Sequence, residues 1–307
     1  MNFRFQILVR TALVFCAALV IVPRFSRAEF IQLGASANYA VLGIGGTVAI
    51  QSDFEVYQSA TVVNGNVGVG PYSIFTHGFD GTINGRLDYD TTIATPPIVT
   101  GTITGGVHQI PMSPTVASAI AANTFFAGLA PTQTFSTLNE NQVINGVSGL
   151  NVIRVTGDVT LKETLTLNGP AGSQFVFQLT AADAVSAKTL TLSGMDMFLT
   201  GGVTGDNILW DLSGGGGQVA ITSDSNVYGT FLAPYRSFTG DHMNLLLGRV
   251  IAGGSPNPAG GDNFLSIHSG SQINQPPAVP VPAAIWGGLG LLGALGAAKL
   301  RRNAREI

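Results

Sequence analysis

Along most of the chain, apolar residues and small polar ones make short runs, and glycine closes nearly every run. Val62-Val63-Asn64-Gly65-Asn66-Val67 is one instance and Thr82-Ile83-Asn84-Gly85-Arg86-Leu87 another. The pattern returns at Val143-Ile144-Asn145-Gly146-Val147, Leu165-Thr166-Leu167-Asn168-Gly169 and Leu190-Thr191-Leu192-Ser193-Gly194. It appears again at Val227-Tyr228-Gly229-Thr230-Phe231 and Leu246-Leu247-Gly248-Arg249-Val250. Runs rich in Val, Ile, Leu and Thr, bounded by turn residues, predict β-strands. Asn-Gly suits the corners between them, because both residues tolerate the positive φ of a tight turn. Within local groups the glycines recur about every 19 to 25 residues, the range of stacked repeats. One coil of about 20 residues cannot bury its apolar face, whereas stacked coils pair their strands and close a continuous core. The pattern therefore predicts a mainly β chain wound as a β-solenoid. Hairpins of a sandwich or jelly roll are the competing reading, since Asn-Gly is also a hairpin signal.

One segment breaks the β pattern. Pro114 to Leu129 is alanine-rich, with apolar residues at 116, 120, 125 and 129. That spacing predicts a helix with one apolar face, started near Ser113-Pro114 and stopped before Pro131. Being single, it is expected to lie along the side of the β body and cover an edge or seam.

The two ends carry different signals. Arg4 and Arg10 precede an apolar run from Thr11 to Val22, and Ser26-Arg27-Ala28 puts small residues at the −3 and −1 positions. This predicts a secretory signal peptide over residues 1–28, cleaved after Ala28, with the secretion translocon as partner. At the other end, Asn274-Gln275-Pro276-Pro277 opens a proline-stiffened linker over 274–282. An apolar stretch from Ala283 to Ala298 follows, closed by Lys299, Arg301, Arg302 and Arg305. Residues 279–298 are long enough to cross a hydrocarbon core of about 30 Å as a helix. The basic cluster orients the tail inside and everything before it outside. The tail over 283–307 is thus expected to be a transmembrane helix, leaving 29–273 as one exported domain.

Charge and cysteine narrow the function. Cys16 is the only cysteine and belongs to the signal segment, so the exported part forms no disulfide. From Glu29 to Gln275 six Lys/Arg stand against sixteen Asp/Glu, a net charge of −10. Nucleic acid is excluded as a partner, because phosphate binding needs the opposite sign.

Two resemblances follow from these residues. Val279-Pro280-Val281-Pro282, the Gly/Ala/Leu-rich helix and the Arg-rich end resemble a PEP-CTERM-type sorting tail, although the glutamate of Pro-Glu-Pro is missing. That resemblance implies an exosortase-like membrane protease as partner and delivery to the cell surface. Leu33-Gly34-Ala35-Ser36-Ala37-Asn38-Tyr39-Ala40-Val41-Leu42, with Val62 to Val69 and Gly81 to Gly85, resembles the start of the bacterial ice-binding-like domain. Leu150 to Gly157, Gly229 to Pro234 and Gly248 to Gly253 are similar to the choice-of-anchor A domain. Together they imply an irregular right-handed β-solenoid with one flanking α-helix.

Chemistry is sparse. His77, His108, His242 and His268 are far apart, and no nucleophile elbow or phosphate-binding glycine loop is present. Asp88 and Asp90, with Asp80, could offer carboxylates to calcium, but a solvated acidic loop reads as well. A polysaccharide lyase would have to use Lys162, Arg154 and Asp158. No catalytic residue, metal site or cofactor is assigned. Threonine is more suggestive. Thr102/Thr104, Thr164/Thr166 and Thr189/Thr191 each place two threonines on one side of a strand. Stacked coils would array them as a grid of methyls and hydroxyls, suited to an ice lattice if they share a face. The first reading of function is a non-enzymatic surface adhesin or scaffold that binds exopolysaccharide or matrix. Ice binding is the alternative, and a lyase comes last.

Overall fold

Val62, Thr82 and Thr102 stand side by side on successive parallel strands, as do Val67, Leu87 and Val107. The glycine-punctuated period of the sequence is thus a stack of coils. The computed structural model describes residues 31–277 apart from 51–59, 72, 74–79, 180–187, 255–262 and 269. The strand pairings are all parallel, which agrees with the solenoid and not with hairpins. Among the described residues no helix is long and apolar enough to cross a membrane. The signal peptide with Cys16 and Ala28, the sorting motif at Val279 to Pro282 and the tail 283–307 lie outside the described residues.

Each coil contributes strands to up to three faces. The first face runs from Gln133–Phe135 through Gly149–Val155, Ser173–Leu179, Ile208–Asp211 and the ends of Asn226–Ala233 and Asn244–Ala252. It continues through Tyr39–Gly43, Asn66–Val69 and Leu87–Asp90 to Val107–Ile110. The second face starts at Gln142–Asn145 and passes through Thr164–Asn168, Asp196–Thr200 and the beginnings of the strands at Asn226 and Asn244. Gln272–Asn274, Val62–Asn64, Thr82–Ile83 and Thr102–Ile103 complete it. The third face is a separate six-stranded sheet: Val159–Leu161, Leu190–Ser193, Val219–Thr222, Phe238–Asp241, Phe264–His268 and Thr47–Ile50.

Chain order and stack order differ. The chain enters mid-stack at Tyr39–Gly43, climbs to Val107–Ile110, and restarts at the opposite end with Gln133–Phe135. From there it winds back until Asn244–Ala252 and Gln272–Asn274 pair with the first coil. The return crossing is made by helix α1 (Ser113–Ala127). Nine coil steps of about 4.8 Å require about 43 Å. Fifteen helical residues with the helical caps Met112 and Gly128 supply about 25 Å, and the five other flanking residues supply up to about 17 Å. A single helix of this length therefore suffices, and it has to run along the stack.

The inward rows of the three faces meet in one core. Phe177, Trp210 and Phe231, on adjacent coils, stack with ring centroids 4.1 and 5.7 Å apart. Corners leave no room for side chains: a Cβ on Gly81 would come within 2.6 Å of the Thr61 carbonyl oxygen, and one on Gly105 within 2.8 Å of that of Gly85. The helix meets the sheet differently from the sequence expectation. Thr115, Ala119, Ala122, Asn123 and Phe126 are its buried residues, while Phe125 is 62% exposed. The turn is rotated because small residues at 115, 119 and 122 let the helix axis approach the sheet, with Phe126 as its one large anchor.

Candidate functional site

The carboxylates suspected of chemistry are already engaged. Asp88 is buried and takes hydrogen bonds from Tyr39 (2.9 Å) and Arg86 (3.0 Å), with His108 Nδ1 at 3.3 Å. Asp90 accepts the backbone N–H of Met112 (2.6 Å) and of Thr92 (2.8 Å) and so caps the start of α1 from a neighbouring coil. Burial alone would raise its pKa, but these donors hold it below the ordinary value. Among the described residues no group of three metal-ligating side chains comes together. The lyase candidates separate: Arg154 donates to Gln178 Oε1 beneath the end of α1, Asp158 accepts from Thr189 on the third face, and Lys162 is exposed at the next corner.

What remains is the faces, and they differ in what covers them. The part of the first face formed by Ser173–Leu179, Ile208–Asp211 and Asn226–Ala233 lies under α1. A polar column crosses it in register, Arg154 beside Gln178 beside Asp211. Gln178 Nε2 donates to the carbonyls of Phe126 (2.7 Å) and Leu129 (2.9 Å) and caps the helix C-terminus. Asn123 donates to Asp211 Oδ1 at 2.7 Å, while Asp211 Oδ2 is buried with no partner. Burial pushes the Asp211 carboxyl well above its usual range, against the pull of Asn123 and Arg236. Arg236 is itself fully buried and lowered to about 10 by that burial. It donates to the Leu179, Ser213 and Gly214 carbonyls and to Lys188 O, tying three successive coils at the corner between the first and third faces.

Among the described residues no helix lies over the third face. Its strands alternate in burial, as in Val159, Thr160 and Leu161 or Leu190, Thr191 and Leu192, so every second residue points outward. The central outward column reads Thr160, Thr191, Ala220, Thr239, Ser266, Ala49 in exact register across six strands. The first four are exposed or half-buried, whereas Ser266 and Ala49 fall to 9% and 4% exposure. Four open ranks remain, about 14 Å along the stack. Gln218 donates to Thr239 at 2.9 Å and Thr189 to Asp158 at 3.1 Å, and the N–H of Thr189 holds the Asp158 carboxyl below its usual pKa. Among the described residues the hydroxyls of Thr160, Thr191 and Thr222 have no protein partner. They are left to the solvent.

The six threonines singled out from the sequence do not share one face. Thr189 and Thr191 lie on the third. Thr164 and Thr166 lie on the second, and Thr102 and Thr104 sit at the far end of that same face. Sequence reasoning missed Thr160, Ala220 and Thr239 because it looked for paired threonines. The findable signal was a small residue flanked by two large apolar ones, as in Val159-Thr160-Leu161 and Val219-Ala220-Ile221.

Comparison with known proteins gives four findings. The sequence model of the family described as Ice-binding-like matches residues 51–254. A protein of Leucosporidium sp. (strain AY30) named "Ice-binding protein" is 26% identical over 227 residues, covering 72% of this chain and 78% of that one. In fold, the chain is similar to a glycosylated ice-binding protein from an Arctic yeast, with a TM-score of 0.55 and 23% identity. That likeness covers 83% of this chain and 98% of the other. The crystal structure of an ice-binding protein from the Antarctic ascomycete Antarctomyces psychrotrophicus gives a TM-score of 0.52 at 21% identity, over 80% of this chain and 98% of that one.

Proposed function

The chain belongs to the ice-binding-like family, and from that premise we propose that it binds ice through the open third face. The observation that carries the proposal is the register column Thr160, Thr191, Ala220, Thr239, with the hydroxyls of Thr160 and Thr191 committed to no protein group. Side chains this short keep the surface level. Methyls and hydroxyls repeating about every 4.8 Å can hold a patterned water layer that joins a lattice. Thr189 and Thr191 remain part of this face. Thr102, Thr104, Thr164 and Thr166 lie outside it.

Family membership and the bare face favour this reading over an adhesin or matrix scaffold. The matched family and the relatives carry names of ice binding and of no catalytic activity. The proposal also retains, on sequence grounds, export with cleavage after Ala28 and sorting at Val279 to Pro282 by an exosortase-like protease.

Thermal hysteresis and inhibition of ice recrystallisation by the purified protein test the proposal. Wild type is expected to show both. Thr191→Tyr, which stands a ring proud of the plane, is expected to lose hysteresis with stability changed by less than about 0.5 kcal/mol. A wild type inactive in both assays ends the proposal.

A further inference from the structure

The open third face carries one side chain that departs from its pattern. On its middle three coils the outward positions are Thr189, Thr191 and Ser193, then Gln218, Ala220 and Thr222, then Ser237, Thr239 and Asp241. Most of these are serine, threonine or alanine, and Asp241 stands at the corner with His242 Nδ1 at 3.0 Å. Gln218 is thus the one long side chain inside the level part of the face.

Its backbone is fixed. The Gln218 carbonyl accepts the N–H of Leu190 at 3.1 Å, and the following Val219 donates to the Ser237 carbonyl at 2.9 Å. Gln218 therefore sits between Thr189 and Ser237, in the row beside the Thr160 to Thr239 column. Its exposed side chain crosses diagonally into that column, where Nε2 donates to Thr239 Oγ1 at 2.9 Å. The serine it passes is short, and the Ser237 hydroxyl bonds to Asn263 instead (3.4 Å). No equivalent bond reaches Thr191, whose hydroxyl stays free among the described residues.

Two effects follow at the Thr239 rank. The threonine oxygen commits one of its two acceptor sites to a protein amide, so that site is lost to surface water. The glutamine lying across the rank also covers ground that shorter side chains leave open. Because the bond is exposed, it competes with water and is worth little net. Once it opens, the freed side chain sweeps the space above the rank, and ordering it against a rigid surface costs more entropy than a shorter residue would. Flat or loose, Gln218 works against a lattice contact there.

We propose that Gln218 limits the ice-facing patch by its length, taking the Thr239 rank out of the water-ordering set. Three working ranks in place of four shorten the patch from about 14 Å to about 10 Å. The proposal rests on the third-face reading and adds to it the residue that sets the patch's extent.

The test measures the lowest concentration that inhibits ice recrystallisation, with Tm beside it, in Gln218→Ser, Gln218→Leu, Gln218→Ser/Thr239→Val and Thr191→Tyr. In Gln218→Ser that concentration is expected to fall by about tenfold, the scale of a glutamine's ordering entropy. Its Tm should stay put, since only an exposed hydrogen bond is removed. Gln218→Leu keeps the bulk and is expected to gain nothing. Thr239→Val should cancel most of the gain, because the uncovered rank then lacks its hydroxyl. Three results overturn this proposal alone: no gain in Gln218→Ser, an equal gain in Gln218→Leu, or a gain that survives Thr239→Val undiminished. An inactive wild type, or a fully active Thr191→Tyr, overturns the third-face reading and this proposal together.

Discussion

The first and third faces are built from the same kind of strand on the same coils, yet among the described residues one carries a helix over its middle and the other carries none. Under α1 the outward positions are Arg154, Gln178 and Asp211, a column in which Gln178 and Asp211 bond to the helix and Arg154 bonds to Gln178. On the third face the corresponding positions hold threonine and alanine, with hydroxyls left over. The difference shows where binding capacity comes from. A polar group that secures structure cannot also order water, so the helix that fixes the fold on one side leaves the other side free. Arg236 connects the two, since it ties down the corner where the faces meet.

Exchanging the roles of the two faces should give separable effects. The largest is expected for Gln178→Ala, which takes a side-chain donor from the Phe126 and Leu129 carbonyls and an acceptor from Arg154. It should cost about 2–3 kcal/mol and lower Tm by about 5–10 °C, with ice activity near the freezing point intact. Calorimetry beside a hysteresis assay reads both.

Asp211→Asn comes next, with the opposite sign. The folded carboxyl holds its proton far above the unfolded value of about 3.9. Its contribution is therefore fully present below that value and lost as pH rises through the folded pKa. At pH 8 the asparagine variant should be more stable than wild type by about 1–2 kcal/mol, and near pH 4 the two should converge. Denaturant melts at the two pH values check this, and a wild type unaffected by pH in that window contradicts it. The smallest effect is expected for Ala220→Thr, which completes four consecutive threonines in the open column. Stability should move by less than about 0.5 kcal/mol, while hysteresis should rise. A fall would mean that Ala220 matters as a gap.

Much of the fold was legible because its signal is local. Each coil announces itself by a β-type run, a small polar residue and a glycine that no side chain could replace, as at Gly81 and Gly105. Ser113-Pro114 and Pro131 framed the helix for the same reason. Its buried face was not legible. Leu129 and Phe125 look like anchors by hydrophobicity, but closeness to the sheet selected Ala119 and Ala122. The candidate face was legible only in pieces. Which threonines share it depends on register between coils about 20 to 30 residues apart, and on a helix that covers one face and spares another. Neither is written within any single run.

The mid-stack entry of the chain has a kinetic consequence. The coils closing at Val62–Asn64 and Gln272–Asn274 form a seam between residues about 200 apart in sequence. Contacts that distant form late and slowly. Until the last coil is in place, each half presents three open parallel edges to any other chain nearby, the condition under which β proteins misassemble. The seam is thus the final latch in folding, and the interval before it closes is when this molecule is most exposed to its own copies.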